Sequence, residues 1–126
     1  MDTKLTIKQA SELTRLSAHT LRYYEKIGLL PPIERGASGY REYSEADLVW
    51  IEFLNCLRMT GIPINMMKQY ADLRHMGQST IHERRIILET HRQQVLGKIS
   101  ELESNLSVIE HKINLHKEME GEDGTG

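Results

Sequence analysis

Residues Ser17–Pro32 read SAHTLRYYEKIGLLPP, and this stretch decides the fold. Ser17 is a helix N-cap residue type, because its hydroxyl can accept from a backbone N–H two or three positions on. Leu21 and Tyr24 follow at helical spacing and can face a core together. Arg22, Tyr23 and Tyr24 share one turn. Gly28 marks a helix stop, and Leu29 and Leu30 read as core. Pro31-Pro32 forbids further helix, since proline lacks an N–H and constrains the residue before it. The result is a short, firmly bounded helix carrying an arginine and two tyrosines, the form of an element that enters a DNA groove.

The residues before it read as its support. Thr6-Ile7-Lys8-Gln9 has the form of a capping box, and Ile7, Ala10 and Leu13 recur at helical spacing. The spacing predicts a first helix from about Ile7 to Leu13, a short connection at Thr14-Arg15-Leu16, and then the helix capped by Ser17. Two short helices joined this way make a helix-turn-helix. Spacing alone does not establish binding, because many helical hairpins bind nothing. The residues after Pro32 strengthen the case. Ile33–Arg35 and Tyr40–Tyr43 flank Gly36-Ala37-Ser38-Gly39, which predicts a β-hairpin. A hairpin beside a helix-turn-helix is a wing, and Arg35, Arg41 and the tyrosines are placed to reach phosphate.

Ser44-x-x-Asp47 opens a third helix with a carboxylate at its positive end. It runs through Leu48, Trp50, Ile51, Phe53, Leu54 and Leu57 to about Thr60, where Gly61 stops it. Pro63 stands where a first helical position is expected. A fourth helix carries Ile64, Met67, Tyr70, Ala71 and Leu73, and ends at Gly77. Thr80-x-x-Glu83 has the capping-box form again. Beyond it Leu88, Val95, Leu102 and Ile109 recur every seven residues, with Arg92, Ile99, Leu106 and Ile113 interleaved. That is a coiled-coil seam, on a helix expected from Ser79 to Glu118 and roughly 60 Å long at about 1.5 Å per residue. A lone helix with such a stripe has nowhere to bury it, so a homodimer is expected. The heptads leave strand direction open. The expected organisation is a DNA-binding head with connecting helices over residues 5–76, a dimerisation helix over 79–118, and a disordered tail over 119–126. The fold class is mainly α: a winged helix-turn-helix with a small β-hairpin wing, two connecting helices and a long C-terminal coiled-coil dimerisation helix.

Composition fits this plan. Of the residues, 39% are hydrophobic and 27% charged, which suits a helical protein with much exposed surface. The net charge of −2 carries no nucleic-acid signal by itself. Its distribution does: residues 1–43 hold seven Lys/Arg against five Asp/Glu, and the remainder nine against thirteen. A basic front and an acidic back is the right polarity for a DNA-binding front end. The single cysteine, Cys56, excludes an internal disulfide. No apolar run reaches the length of a membrane span and no signal peptide is evident, so a cytoplasmic location without membrane association is expected. No acid/base pair, nucleophile constellation or phosphate-cradling glycine loop argues for an enzyme, and no cofactor is implied.

The chain resembles the MerR family of bacterial transcription regulators. The resemblance is carried by TLRYYEKIGLLPP followed by GYREY, and covers about residues 5–118. Within the family it is similar to the short aldehyde- and electrophile-responsive regulators, on the segment WIEFLNCLRMTGIPI with its lone cysteine. This implies a homodimer with antiparallel long helices, two winged heads on a pseudo-palindromic operator in double-stranded promoter DNA, and action on RNA polymerase by bending and untwisting an over-long promoter spacer. Matched residue by residue, Ser17, Thr20, Arg22, Tyr23 and Tyr24 fall on the recognition helix, and Arg35, Tyr40, Arg41 and Tyr43 on the wing. Arginine forks suit guanine edges or phosphate, and hydroxyls suit phosphate oxygens. Tyr24 and Tyr43 also read as core residues. The expected dimer interface is Leu88, Val95, Ile99, Leu102, Leu106, Ile109 and Ile113.

The family's metal-sensing members carry cysteines near the end of the dimerisation helix, and this chain has none there. His82, His91, His111 and His116 do not form an i, i+4 pair, so no metal site is expected. Cys56 is left as the chemical sensor, or as a small core thiol. Arg58 falls on another helix face and Glu52 lies one turn back, so local sequence does not show an activated thiolate. The alternative reading is a regulator of the same fold that answers a non-covalent ligand or a partner protein, with Met59, Met66, Met67 and Met76 as an adaptable surface. A coiled-coil interaction module without DNA is a third reading, opposed by the basic wing and the Arg22–Tyr24 turn.

Overall fold

The computed structural model describes residues 4–125, with side chains described over 4–122. The chain forms two compact units, residues 1–89 and 90–126. The first holds α1 (Ile7–Thr14), α2 (Ala18–Lys26), α3 (Glu45–Met59), α4 (Ile64–Met76) and a 3-10 turn at Gln78–Thr80. The last helix, α5 (Ile81–Thr125), begins in the first unit and makes up the second.

Local capping sets the helix bounds. Thr6 and Gln9 form the capping box of α1, with reciprocal bonds of 3.1 and 2.9 Å. Ser17 caps α2 by accepting from Thr20 N–H at 3.0 Å. Ser44 and Asp47 form a second box at the start of α3. Gly28 ends α2 at φ +86°, with Leu29 N–H donating to Tyr24 O at 2.9 Å and Gly28 N–H to Glu25 O at 3.2 Å. This six-to-one, five-to-two pattern satisfies carbonyls that the helix end would leave bare. Gly61 does the same for α3.

The core of the first unit gathers Ala10, Leu21, Tyr24, Leu29, Leu30, Tyr43, Ile51, Leu54 and Met67 with their neighbours. Trp50 ties α3 to the end of α2, its indole Nε1–H donating to Leu29 O at 2.8 Å. The turn between α1 and α2 is held by hydroxyls: Thr14 Oγ1 donates to Ala10 O and Ser11 Oγ to Leu16 O. Arg15 stands there in the left-handed region at φ 63°.

Several expectations are corrected. Leu13 is exposed, and Ala10 and Thr14 form the buried face of α1 instead. Pro63 is the N-cap of α4, not its first residue, and its carbonyl accepts from Met66 and Met67 N–H. Thr80 does not open α5 as a capping box. Its hydroxyl lies against Leu73 O and Gly77 O at 2.6 and 2.7 Å and accepts from Arg84 Nε, so it closes α4 instead. The α5 helix runs to Thr125, past the expected end at Glu118; of the expected tail, Gly126 lies outside the described residues.

The wing also differs from expectation. Among the described residues there is no β-strand; the two arms meet in a single antiparallel bridge, Arg35–Arg41, and Tyr43 bridges Leu5 instead of the opposite arm. Glu42 N–H donates to Glu34 O at 2.8 Å and Gly36 N–H to Tyr40 O at 2.9 Å, which closes a tight turn without a ladder. The reason is length: the arm after Pro32 has too few residues before the turn, and the returning arm leaves it to pair with residue 5.

In the second unit the stripe is bare. Ile99, Leu102, Leu106, Ile109 and Ile113 are all exposed and Val95 is half-buried. Leu88 departs from the set: it belongs to the first unit and packs against that unit's core.

Candidate nucleic-acid interface

The exposed face of α2 is polar because its apolar residues, Leu21 and Tyr24, point inward. Arg22, Tyr23, His19 and Ser17 are left on the outside, and Thr20 is half-buried beside Ser17, their hydroxyls 2.9 Å apart. Tyr23 is 51% exposed, enough to offer both its ring and its hydroxyl.

The turn at 33–43 stands beside this face. A groove of about 300 Å³ is lined by Thr6, Ile7, Arg22, Arg35, Ser38, Tyr40, Arg41 and Glu42. The structure therefore brings together four of the expected residues, Arg22, Arg35, Tyr40 and Arg41. Tyr40 is 76% exposed at the tip. Arg35 is held in place by its own turn, with Nη1 donating to Gly39 O at 2.8 Å. Arg22 and Arg35 bring guanidinium groups to this groove beside the Arg41–Glu25 pair, a donor set chemically suited to phosphate, and hydroxyls on the same wall add neutral donors. Thr6 and Ser38 were not anticipated as part of it. Thr6 reads only as a cap and Ser38 only as a turn residue, and neither carries a local signal of the groove.

Arg41 is not a free cation. Its Nε donates to Glu25 Oε1 at 2.8 Å, and Glu25 Oε2 accepts from Ile33 N–H at 3.3 Å. One carboxylate on α2 thus holds both arms of the wing. Glu25 was missed because its partners lie eight and sixteen positions on.

Tyr24 and Tyr43 are core residues, which corrects their place among the DNA-facing side chains. Tyr43 is fully buried and its hydroxyl has no hydrogen-bond partner among the described residues. Burial pushes the Tyr43 phenol above its ordinary value of 10.0, against the opposing pull of the Arg41 guanidinium, so it stays neutral.

Cys56 lies on α3 and is exposed, so the small-core-thiol reading is corrected. It does not line the groove. Met67 is buried, whereas Met59 and Met76 are exposed, so the methionines do not form one surface. Among the described residues no group of His, Cys, Asp and Glu is arranged to hold a metal ion, and no helix is long and apolar enough to cross a membrane.

Residues 6–43, which hold α1, α2 and the wing, match the model of the MerR family regulatory proteins. The chain is 36% identical to an uncharacterized HTH-type transcriptional regulator of Haemophilus influenzae, across 89% of this chain and 83% of that one. It is 41% identical to the HTH-type transcriptional regulator AdhR of Bacillus subtilis across 73% of this chain, spanning 66% of AdhR's length. The fold superimposes on the crystal structure of HiNmlR, a MerR family regulator lacking the sensor domain and bound to promoter DNA. The TM-score is 0.84, with 34% identity and 92% of each chain covered. A MerR family regulator of Bacillus thuringiensis superimposes with a TM-score of 0.78 and 36% identity, covering 88% of this chain and 97% of that one.

Proposed function

Because the chain belongs to the MerR family, we propose that it is a promoter-DNA-binding transcription regulator acting as a homodimer, with the groove between α2 and the wing as its DNA contact. The observation that carries this reading is the convergence of Arg22, Arg35 and Arg41 on one groove beside the exposed face of α2. Ser17, Thr20 and Tyr23 on the helix, with Tyr40 at the wing tip, complete the surface. The wing acts as the hairpin of a winged helix-turn-helix when it lies on a duplex. That HiNmlR, of nearly the same length and fold, holds promoter DNA supports the assignment.

Two copies join through the bare stripe Val95, Ile99, Leu102, Leu106, Ile109 and Ile113, which sets two heads on a pseudo-palindromic operator. Burying each such side chain contributes about 1.5–3 kcal/mol, set against the cost of associating two chains. The heads distort the spacer between promoter elements and so reposition it for RNA polymerase.

The signal is an electrophile that reacts at Cys56. Exposure of this thiol supports the reading, because attack needs access. With an aldehyde, Sγ bonds the carbonyl carbon, the carbonyl π pair moves to oxygen, and that oxygen takes the proton the thiol gives up. The adduct's bulk on α3 then alters how the heads are presented. The test is a reporter under the neighbouring promoter. Cys56→Ser is expected to abolish induction by formaldehyde while operator binding in a gel shift is unchanged. Full induction of that variant overturns sensing at Cys56, and absence of a specific gel shift with the wild-type protein overturns the regulator itself.

A further inference from the structure

The stripe on α5 is apolar at six successive seam positions, Val95, Ile99, Leu102, Leu106, Ile109 and Ile113. It is polar at the next seam position on each side, Arg92 and His116. Heptad spacing alone leaves the direction of pairing open, and these two polar ends close it. We propose that two copies pair in one antiparallel register, centred on Ser104, in which Arg92 of each copy donates to Nε2 of His116 of the other. This rests on the homodimer proposed above, and names its register and the contact that sets it.

Of the registers available, this one alone matches the apolar stripe to itself. It sets Val95 against Ile113 of the second copy, Ile99 against Ile109, and Leu102 against Leu106, so all six side chains meet apolar partners. A slide of one heptad sets Arg92 against Ile109 in one direction and Ile99 against His116 in the other, which buries a polar group on an apolar one. Parallel pairing sets each seam residue on its own counterpart, so the two Arg92 guanidinium groups meet as like charges. The flanking charges do not decide the direction. Parallel pairing puts Lys98 near Glu103 but Lys112 near Lys117, and the antiparallel register puts Lys98 near Lys112. Exposed pairs of this kind contribute little.

The geometry of α5 fits this contact. A groove of about 440 Å³ is lined by Ile109, Lys112, Ile113, His116, Lys117 and Glu120. In this register it receives Ile99, Val95 and Arg92 of the second copy in turn. The His116 ring is held in place, with Nδ1 2.7 Å from Lys112 O. A carbonyl oxygen only accepts, so Nδ1 carries the proton and Nε2 of the neutral ring is an acceptor. A guanidinium has donors and no acceptor, so Arg92 complements it. Glu120, one helical turn beyond His116 on the groove wall, offers the same guanidinium a carboxylate. A polar contact within an apolar seam is a known means of fixing register.

The test uses disulfides in the full chain carrying Cys56→Ser, which leaves no native thiol. Val95→Cys/Ile113→Cys, oxidised with diamide, should run as a covalent dimer on a non-reducing gel. Neither cysteine alone should do so, because in this register the two copies of either position lie about 27 Å apart at about 1.5 Å per residue, beyond the reach of a disulfide. In sedimentation equilibrium, His116→Arg should raise the dimer dissociation constant about ten-fold by setting two guanidinium groups together. His116→Gln keeps an acceptor and should pair as the wild type does. Adding Arg92→Gln to His116→Arg should restore pairing, which damage to the seam in general would not allow. The proposal is overturned by a covalent dimer of Val95→Cys alone, or by none from the double variant while sedimentation still shows a dimer. It is equally overturned if His116→Arg pairs as tightly as the wild type, or if Arg92→Gln brings no recovery. A wild-type chain that sediments as a monomer overturns the homodimer itself, and the register with it.

Discussion

Glu25 on α2 and Arg41 on the wing form an ion pair at 2.8 Å, with side chains only 20% and 23% exposed. The same carboxylate accepts from Ile33 N–H, so it braces the wing from both sides. A negative charge on the helix proposed to contact DNA is costly for phosphate contact. Geometry gives it a role: it ties to α2 a wing that, among the described residues, has a single bridge and no strand. Glu25→Ala is therefore expected to weaken operator binding about five-fold although it removes an anion. A Glu25/Arg41 double-mutant cycle on unfolding should give a coupling of about 0.5–1 kcal/mol, the range for a partly screened pair. Tighter binding by Glu25→Ala in a fluorescence-anisotropy titration would show that the brace has no such role.

Arg22 and Arg41 should differ in their salt response. Arg22 is exposed and pairs with no carboxylate among the described residues, whereas Arg41 is already neutralised by Glu25. Arg22→Ala is expected to lower the slope of log affinity against log salt by about one, and Arg41→Ala by clearly less. Equal changes in slope, measured by filter binding across a salt series, would mean that Arg41 leaves Glu25 for phosphate.

Ser17 separates folding from contact. Its hydroxyl caps α2, so Ser17→Ala should cost about 1 kcal/mol of stability. Ser17→Asp keeps a capping acceptor and favours the helix dipole, but sets a carboxylate against the phosphate backbone. The aspartate variant should melt at or above the wild-type temperature and bind the operator at least ten-fold more weakly, about 1.4 kcal/mol. Undiminished binding by that variant would place Ser17 off the DNA.

Tyr43 predicts an alkaline limit. Its phenol is buried without a partner and its folded value is raised above 10.0. For a group raised on folding, the stability it contributes is complete below the unfolded value and is lost as pH rises through the folded one. Denaturant midpoints should therefore be insensitive to this group up to about pH 10 and fall above it. Tyr43→Phe should remove that fall and, by deleting an unsatisfied buried hydroxyl, gain about 1 kcal/mol at neutral pH. A loss of stability in the phenylalanine variant would reveal a partner for the hydroxyl.

What could be read from sequence was whatever is decided within a few residues. The caps at Thr6, Ser17 and Ser44, and the stops at Gly28 and Gly61, follow from side-chain chemistry within one turn, and the structure has them where they were expected. Arrangements set by tertiary packing were not legible. Leu13 has the spacing of a core residue, yet Thr14 takes the buried position by returning its hydroxyl to Ala10 O. The arms at 33–43 have the composition of strands, but residue 43 pairs with residue 5. Thr80 has the form of a cap and is used by the helix before it. In the candidate interface, exposed arginines and Tyr40 could be named from type and position. Glu25 could not, because its importance depends on which residues the wing returns to it.

In the proposed assembly two α2–wing heads grip one duplex because the stripe on α5 joins two chains. Sedimentation of the wild type and of Leu102→Asp/Leu106→Asp, with operator titration of both, tests it most directly. A wild-type dimer that binds one operator is expected, with a folded monomeric variant whose operator affinity falls by at least a hundred-fold, about 2.7 kcal/mol. A monomeric wild type, or a monomeric variant that binds the operator as tightly as the wild type does, would contradict it.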